Sequence, residues 1–370
     1  MRILLINSRP NARTLPGGDT VQVDRIGTAL RELGVEVDIH GLEILNQTIP
    51  SYDLAHVFNI QEPEPAQALL RALTQRGLPT VLSPIYWDMH PYWYNLACSS
   101  GKWRQVTRLL GASLAAGAYQ RWQEWKERFH PGWRGQRWLL NMATRVQPNS
   151  PSETKMLRRT FRLPAGFEGK VDVIPNAVDQ AFAQAKRQTA PDFLRGQALG
   201  QVVLQVGTVY PVKNQLGLLE ALFDLPVALV FVGPTMPAFA QYSVACRQRA
   251  SDRGRVFFIE RMPHDALPGV YAGAAVHALP SWRETPGLVS LEAAAAGCQV
   301  VSTSIGSARD YFGDLAWYCH PADRSSIRQA VEAALAAPRS DALQTRVARE
   351  YTWQRAAQAT LASYGRALAG

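Results

Sequence analysis

The stretch PSWRETPGLVSLEAAAAGCQVV, residues 280–301, predicts a loop, a helix and the beginning of a strand. An apolar segment ends at Pro280, and Pro286 suits the first turn of a helix because proline has no backbone N–H to leave unpaired. The Ala-rich segment predicts a helix up to Gly297, which can end it, and Gln299 begins a strand. Ligands of open α/β sheets bind at the carboxyl ends of strands, where this loop lies. The stretch therefore predicts a binding loop in an α/β domain.

The start of this helix has the chemistry of an anion site. The N–H groups of Gly287, Leu288 and Val289 are unpaired in a helix that begins here, and the helix dipole adds positive potential. Gly287 has no side chain to keep a phosphate away. Glu284 precedes the helix and Glu292 lies eight residues later. An ionised carboxylate can accept hydrogen bonds from both hydroxyls of a ribose, so the stretch predicts a nucleoside diphosphate site.

A second segment, VLQVGTVYPVKNQLGLLEAL at residues 203–222, predicts a strand, a glycine-containing loop and a helix. Lys213 lies near the predicted helix start, where its ammonium group can meet a diphosphate as a mobile point charge. Taken alone, Lys213 is equally well interpreted as a surface lysine. Its register relative to the two glutamates favours the phosphate interpretation.

Together the two segments resemble the family 4 retaining glycosyltransferases. The hallmark of that family is a Glu-x7-Glu unit followed by an Ala-rich helix, a glycine and an apolar strand, here Glu284 to Glu292 followed by AAAAG and QVVSTS. The resemblance implies that Glu284 lies near the transferred sugar and that Glu292 binds the nucleotide ribose. It also implies that the leaving phosphate itself takes the proton of the acceptor.

The phosphate loop of the family, Gly-Arg-x5-Lys, is matched only in part. Gly207 and Lys213 are in place, but Thr208 occupies the position of the arginine. One positive charge is therefore absent or comes from elsewhere, and Arg283 is a candidate source.

Weaker similarities extend over most of the chain. GGDTVQV at residues 17–23 resembles the family's loop after the first strand, which implies that Gly17 and Gly18 lie against the diphosphate and the acceptor. Many members carry a His-Asp pair after the fourth strand, near the transferred sugar. Here that strand reads PTVLSPIYWDMH, so Asp88 is the best match and His90 a second candidate. An anchoring role for Asp88 in its loop is as compatible with the sequence as a catalytic one.

Strands alternate with helical patterns in both halves, which predicts parallel doubly wound sheets. The expected strands are 3–7, 35–39, 54–58 and 80–85 in the first half and 202–206, 227–232, 256–259, 276–279 and 300–303 in the second. The predicted fold is α/β of the GT-B type, with two Rossmann-like domains facing across a cleft. We expect an acceptor-side domain at 1–180, a linker at 181–200, a nucleotide-sugar domain at 201–350 and a C-terminal helix at 351–370 that crosses back to the first domain.

The region from Trp87 to Trp138 contains no strand pattern and predicts two helices inserted in the first domain, with the glycines of GWRGQRWLLN breaking any continuous amphipathic helix. Its further tryptophans are Trp93, Trp103, Trp122, Trp125 and Trp133. They alternate with Lys102, Arg104, Arg108, Arg121, Lys126, Arg128, Arg134 and Arg137. Such a composition is typical of a surface that meets lipid headgroups, and also of rings that pack a domain beneath a solvated basic face. The glycines favour the packed interpretation, and membrane contact is the alternative. Under either interpretation the region is expected to influence acceptor choice.

The composition limits the possible partners, cysteine chemistry and location of the protein. The net charge of +9 and the pI near 9.6 favour polyanionic partners. The four cysteines form no Cys-x-x-Cys pair and predict buried thiols. The N-terminal MRILLIN predicts a core strand and no segment approaches the ~20 apolar residues of a spanning helix, so a cytosolic protein is expected, with peripheral contact at the inner membrane face as an open alternative.

The sequence thus predicts transfer of a sugar from a nucleoside diphosphate to the hydroxyl of a glycan, lipid-linked or small-molecule acceptor, with retention of configuration. We expect no cofactor, no obligatory metal ion and no nucleic-acid partner. A GT-B epimerase of sugar nucleotides and a non-catalytic basic membrane- or nucleic-acid-binding protein are the alternatives. A hydrolase is disfavoured because its two carboxylates face each other across a bond, whereas Glu284 and Glu292 belong to one loop-helix unit.

Overall fold

The computed structural model describes residues 1–46, 50–99, 102–185, 200–285 and 287–370. They form two compact units, one of Met1–Asn176 with Trp353–Gly370 and one of Ala177–Thr352. The interval predicted as a linker, residues 181–200, falls for the most part outside the described residues. Among the described residues, no helix combines the length and the apolar character needed to cross a membrane.

The first unit is built on a parallel five-stranded sheet. Its strands are β1 (Arg2–Asn7), β2 (Glu36–His40), β3 (Leu54–Phe58), β4 (Thr80–Ser83) and β5 (Arg145–Val146). They lie in the order β2-β1-β3-β4-β5. β1, β3 and β4 are buried almost throughout, as strands of a parallel sheet covered by helices must be. The predicted fourth strand is two residues too long, because Pro84 ends it and Ile85 has a φ of 50°.

The described residues up to Asn176 also form seven α-helices. They are α1 (Gly18–Glu32), α2 (Pro63–Gln75), α3 (His90–Ser99), α4 (Lys102–Leu110), α5 (Ala112–Glu127), α6 (Pro131–Met142) and α7 (Pro151–Phe161). α1 ends before Gly34, whose φ of 81° is the left-handed conformation expected after a helix. α7 begins after Ser150, whose hydroxyl accepts a hydrogen bond from the N–H of Glu153 at 3.0 Å.

The inserted region holds four helices, α3 to α6, and the prediction of two is wrong. The glycines were also misinterpreted, since α6 passes through Gly132 and Gly135 without a break. A Cβ on Gly135 would lie 3.0 Å from Cβ of Pro63 in α2. The glycine therefore allows α6 and α2 to approach closely, which explains a small residue inside a helix.

The second unit is built on a parallel six-stranded sheet. Its strands are β6 (Val202–Val206), β7 (Ala228–Val232), β8 (Val256–Ile259), β9 (Val276–Leu279), β10 (Gln299–Thr303) and β11 (Trp317–Cys319). They lie in the order β11-β10-β9-β6-β7-β8. Its described helices are α8 (Gln180–Ala183), α9 (Gln215–Ala221), α10 (Ala240–Arg253), α11 (Leu267–Gly273), α12 (Leu288–Ala295), α13 (Ala308–Phe312), α14 (Arg324–Ala336) and α15 (Ala342–Glu350).

The last helix, α16 (Trp353–Leu368), belongs to the first unit although it follows the second in sequence. Its Tyr364 hydroxyl is hydrogen-bonded to Nδ1 of His56 at 2.8 Å, in the centre of the first sheet. Ser363 and Arg366 donate to the Asp172 carboxylate at 2.6 and 2.7 Å. These contacts tie the end of the chain to the first domain.

Candidate functional site

The predicted binding loops of the second unit meet at one point of its sheet. β6 and β9 are neighbours, although β7 and β8 lie between them in sequence. The strand order therefore reverses between β6 and β9, which is where open α/β sheets form a ligand crevice at their carboxyl edge. Lys213 follows β6 and Glu284 follows β9. The topology thus brings the two predicted motifs together.

Lys213 and Glu284 form an ion pair at the centre of this site. Nζ of Lys213 lies 2.6 Å from Oε1 of Glu284, and the side chains are 19% and 5% exposed. Burial by itself would lower the pKa of Lys213, but the Glu284 carboxylate more than offsets this, so the pKa of Lys213 is raised above its usual value. The N–H of Trp282 donates to the carbonyl of Val212 at 2.8 Å, which joins the two loops through their backbones as well.

The backbone around Glu284 is fixed by two glycines. Gly306, after β10, has a φ of 140°, and a Cβ there would lie 2.5 Å from the carbonyl oxygen of Glu284. That oxygen accepts a hydrogen bond from the N–H of Ser307 at 3.3 Å. Gly287 has a φ of 83°, and a Cβ there would lie 3.0 Å from Oε2 of Glu284. Gly306 therefore allows the close approach to the backbone of Glu284, and Gly287 allows the close approach to its carboxylate.

The start of α12 differs slightly from the prediction. The helix begins at Leu288 and Gly287 is its N-cap residue, while Pro286, which was expected to open the helix, lies outside the described residues. The carbonyl of Gly287 accepts from the N–H groups of Ser290 and Leu291 at 2.9 and 3.2 Å. The N–H groups that precede these in the first turn have no acceptor within the helix, so they remain a candidate anion site beside Lys213 and Glu284.

Glu292 lies on the same helix and is held by a buried tyrosine. The hydroxyl of Tyr271 in α11 donates to Oε2 of Glu292 at 2.9 Å, and Nε2 of His264 lies 3.8 Å from Oε1. Burial, together with the Glu292 carboxylate, raises the pKa of Tyr271 well above its usual value, so the phenol remains a donor. Phe182 contacts the rings of both Tyr271 and His264. No pattern in the sequence singled out Tyr271 or His264, because their segment shows no motif of its own.

The glycine loop after β6 is closely packed. Gly207 has a φ of 140°, and a Cβ on Gly233 would lie 2.2 Å from the carbonyl oxygen of Gly207. The carbonyl of Thr208 accepts from Nε2 of Gln215 at 3.0 Å. Arg283 is partly exposed, and its charge is near enough to Lys213 to lower the pKa of that ammonium. A second positive charge therefore lies near Lys213, although Thr208 occupies the arginine position.

In the first unit, Gly17 and Gly18 form the start of α1, with Gly17 as the N-cap residue. This loop is fastened by Asp19, whose carboxylate accepts from Arg9 at 2.7 and 2.9 Å. Asn7 and Asn59, at the ends of β1 and β3, donate to the same carboxylate at 3.2 Å each. Burial alone would raise the pKa of Asp19, but Arg9 and the two amides hold it below its usual value. The cluster lies where the strand order of the first sheet reverses.

Asp88 and His90 lie in the first unit, buried and paired with each other. Nδ1 of His90 lies 2.8 Å from Oδ1 of Asp88, and Nε2 lies 3.0 Å from Oε1 of Glu127 at the end of α5. Arg159 lies 3.6 Å from the second oxygen of Asp88. Burial by itself would lower the pKa of His90, but the two carboxylates raise it to about 9. These contacts support the anchoring role for Asp88, because the carboxylate is engaged on both oxygens.

Apart from Val289, eight of the predicted residues therefore lie in the second unit and surround the crevice between β6 and β9 or the helix that begins there. They are Gly207, Thr208, Lys213, Arg283, Glu284, Gly287, Leu288 and Glu292. Gly17, Gly18 and Asp88 belong to the first unit. Within the described residues, no group of three or more His, Cys, Asp or Glu side chains is arranged to hold a metal ion.

The fold of the whole chain is that of glycosyltransferases with two Rossmann-like domains, the GT-B fold. Sucrose-phosphate synthase from Thermosynechococcus elongatus superposes with a TM-score of 0.77 at 18% identity, over 100% of both chains. The Anabaena protein HepE in complex with UDP and glucose gives a TM-score of 0.70 at 16% identity, over 99% of this chain and 100% of that one. These similarities confirm the predicted fold class.

Residues 197–351, which fall within the second unit, match the family described as glycosyl transferases group 1. The D-inositol 3-phosphate glycosyltransferase of Mycobacterium marinum is 29% identical over 250 residues, which are 63% of this chain and 52% of that protein. The enzyme of the same name from Nocardia farcinica is 26% identical over 337 residues, 78% of this chain and 70% of that protein. The chain spans about half the length of most of the curated relatives it matches. The resemblance drawn from the Glu-x7-Glu unit is confirmed.

Proposed function

We propose that the chain is a retaining glycosyltransferase that moves a sugar from a nucleoside diphosphate to an acceptor hydroxyl. The observation that carries the proposal is the buried Lys213–Glu284 pair, which lies beside the start of α12. One crevice thereby combines a cation and helix N–H groups for a diphosphate with a carboxylate for the sugar. The glycosyltransferase names of the relatives support the reaction class.

In the proposed reaction the bond between sugar C1 and the diphosphate oxygen breaks, and a bond between C1 and the acceptor oxygen forms. Negative charge grows on the leaving diphosphate, and the proton of the acceptor hydroxyl passes to that leaving group. Lys213 and the N–H group of Leu288 stabilise the growing charge. Donors fixed in advance at such a position contribute roughly 3–4 kcal/mol each. Arg283 supplies the second charge that Thr208 cannot.

The ion pair is compatible with a bound diphosphate because an ammonium group has three donors. One N–H of Lys213 remains on Glu284, and the others turn to the phosphate oxygens. Glu284 thereby orients Lys213, and its second oxygen, beside Gly287, is available to the hydroxyls of the transferred sugar. The pair thus combines the two roles proposed in the second domain, with Lys213 on the diphosphate and Glu284 near the transferred sugar.

Glu292 is the proposed ribose ligand. A carboxylate offers about four acceptor positions. Tyr271 uses one of them on Oε2, and the nearest partner of Oε1 is His264 at 3.8 Å. Acceptor positions therefore remain for two ribose hydroxyls, and Tyr271 fixes the carboxylate so that little freedom is lost when the nucleotide binds.

We propose that no divalent ion is obligatory, because Lys213, Arg283 and the start of α12 provide the positive charge that neutralises the diphosphate.

A cytoplasmic location agrees with the four cysteines, which are all free thiols. The acceptor is proposed to be the hydroxyl of a glycan, of a lipid-linked saccharide or of a small molecule. Nucleic acid has no part in the proposed reaction.

A thermal-shift screen against UDP, GDP, ADP and dTDP sugars tests the donor half of the proposal. A ligand at a hundred times its Kd stabilises the folded chain by about 2.7 kcal/mol. We expect one base to raise the unfolding temperature of the wild type and not that of Glu292→Ala. The proposal is wrong if no sugar nucleotide shifts the wild type, or if the shift survives unchanged in Glu292→Ala.

A further inference from the structure

We propose that the outer surface of the inserted helices α3 to α5 docks on an anionic lipid bilayer. The inference goes beyond the proposed function, because it rests on residues that lie outside the sugar-nucleotide crevice and does not depend on catalysis. It concerns the first unit alone.

The surface is unusually apolar for an exposed one. Leu109 at the end of α4 and Leu114 at the start of α5 are 84% and 68% exposed, and Trp125 and Phe129 are 56% and 62% exposed. These residues belong to a larger set of large apolar side chains left in water by α3, α4 and α5. The set is Trp93, Leu96, Leu109, Leu110, Leu114, Trp122, Trp125 and Phe129. Single exposed apolar residues are normal, but a group of this size marks an interaction site.

The rings and leucines of α5 lie on one stripe. Leu114, Trp122 and Trp125, with Phe129 just beyond the last turn, recur at helical spacing along some 16 residues of α5. The side of the helix next to this stripe is packed inward through Ala115 and Tyr119. An extended apolar stripe with a fixed inner side is the form that an interfacial helix takes.

Contacts on the inner side of α5 fix the orientation of the helix and keep the stripe at the surface. Tyr119 packs against Trp103 of α4 and against Trp122. Glu127, at the end of α5, is paired with the buried His90 at 3.0 Å. The orientation of α5 is therefore set by its packing, and the exposed rings are a built feature of the surface.

The charge of this region favours lipid phosphates. Residues 87–142 contain eight Lys and Arg against three Asp and Glu, a net charge of +5 within a chain of +9. Arg104 and Arg108 of α4 and Arg121 and Lys126 of α5 are exposed on the same two helices as Leu109, Leu114 and Trp125. Lys126 also lies 5.4 Å from the ring centre of Trp122. Indole rings at headgroup depth with cations beside them are the pattern that binds anionic bilayers.

Two other occupants fit less well. A second copy of this surface would bring net charges of like sign together, which opposes self-association. A nucleic acid would use the cations but has no need of leucines as exposed as Leu109 and Leu114. An anionic bilayer uses both the charge and the apolar surface.

Co-sedimentation of the full chain with vesicles tests the proposal. We expect binding to phosphatidylglycerol vesicles at low salt, weaker binding at high salt and little binding to phosphatidylcholine. The variant R104Q/R108Q/R121Q/K126Q should bind at least roughly a hundredfold more weakly, because each cation near an anionic surface contributes about fivefold. The variant L109S/L114S/W125S should also lose binding. Neither variant touches the core, so circular dichroism should show both folded.

Matched controls use residues of the same kind elsewhere. R158Q/R247Q/R309Q/R349Q removes four exposed arginines outside the region, and L15S/V244S/L368S removes three exposed apolar side chains. Both controls should bind vesicles as the wild type does. Tryptophan emission should shift to the blue on anionic vesicles in the wild type and far less in W122F/W125F.

Three results would overturn the proposal. The first is no binding to anionic vesicles at low salt. The second is equal loss of binding in the test and control variants. The third is a dimer in solution that L109S/L114S/W125S abolishes while vesicle binding is absent, since a second copy would then cover the surface.

Discussion

Lys213 and Glu284 each compensate the other's charge inside the second domain. Removing one partner of a buried pair leaves an uncompensated charge, which costs about 3–5 kcal/mol, whereas replacing both by groups of similar shape costs far less. The proposed reaction needs both charges, so replacing both residues abolishes transfer even though it costs little stability. Stability and activity can therefore be separated with these two positions alone.

We predict that Lys213→Met lowers the free energy of unfolding of the second domain by several kcal/mol and reduces transfer by orders of magnitude. The double variant K213M/E284Q should regain much of the stability and none of the activity. Chemical denaturation and a transfer assay measure the two effects. Normal transfer by the double variant would show that the pair is only structural.

Tyr271 and Glu292 give a second prediction at this scale. Glu292→Ala should weaken binding of the free nucleoside diphosphate as much as that of the sugar nucleotide, because the ribose is common to both. Tyr271→Phe removes only the hydrogen bond that positions the carboxylate, so it should weaken binding by a smaller factor and leave the maximal rate nearly unchanged. Calorimetry and steady-state kinetics measure both. A fall in the maximal rate of Tyr271→Phe with unchanged affinity would contradict the positioning role.

At this scale the sequence predicted a set of candidate residues but not the contacts that these residues make with each other. The spacing of Glu284 and Glu292 and the register of Gly207 and Lys213 are local patterns. The contact between Lys213 and Glu284 spans 71 positions, so it depends on the order of the strands. Spacing carries no information on such a contact.

Short segments around the crevice set the position of the proposed catalytic groups. Gly306 lies against the carbonyl of Glu284, where a Cβ would come within 2.5 Å, and its φ is positive. Gly254 also has a positive φ, but a Cβ there would meet no atom within 4 Å. The two glycines thus differ mainly in the close approach.

We predict that Gly306→Ala lowers both stability and transfer, because the backbone of Glu284 must move. Gly254→Ala should cost about 1–3 kcal/mol, because a φ of 71° with a ψ of 169° suits glycine almost alone, and it should leave transfer unchanged. Unfolding temperature and transfer rate are the measurements. Equal transfer rates in the two variants would show that the approach of Gly306 to Glu284 is unimportant for activity.

The buried His90 predicts a pH dependence of the first domain. Its pKa is raised to about 9 from 6.5, so its stabilisation is complete below about pH 6.5 and is lost as the pH rises through 9. The shift corresponds to about 3 kcal/mol. Unfolding of the wild type should become easier between pH 6.5 and 9.5, and His90→Gln should remove most of that dependence. His40→Gln is the control, and a wild-type slope retained in His90→Gln would contradict the account.

Elements were predictable to different degrees. The long buried strands were recovered within one or two residues because their apolar runs are continuous. β5 and β11, of two and three residues, were missed since they are too short to form a pattern. The inserted region was assigned two helices and contains four, because its helices are short and its glycines were interpreted as breaks. Gly135 instead serves the contact between α6 and α2, which only the tertiary structure shows.

At the scale of the whole molecule, the positive charge that neutralises the diphosphate is proposed to come from the protein. We therefore predict that EDTA leaves the transfer rate within about twofold, whereas an enzyme that holds the diphosphate through a metal ion loses activity. The rate before and after chelation, with re-addition of Mg²⁺ as the control, is the measurement. Loss on chelation with recovery on re-addition would show that a metal ion shares the role given to Lys213.

The fold of the whole chain was predictable because alternating strands and helices were repeated in both halves, and the return of the last helix followed from the resemblance. The basic, tryptophan-rich region was left with two interpretations. In the structure some rings fit one interpretation and some the other, since Trp133 is buried while Trp122 and Trp125 are exposed. Composition alone could not assign each ring to the inside or the outside of a helix.

The most direct test of the central claim is a balance of products, made once the donor base is known. Free nucleoside diphosphate and glycosylated acceptor are counted in the same reaction, with and without the acceptor. We predict that the two form in equal amounts, that neither forms without the acceptor, and that NMR shows the anomeric configuration of the donor in the product. Conversion of the sugar nucleotide without any acceptor, whether by hydrolysis or by epimerisation, would contradict the account.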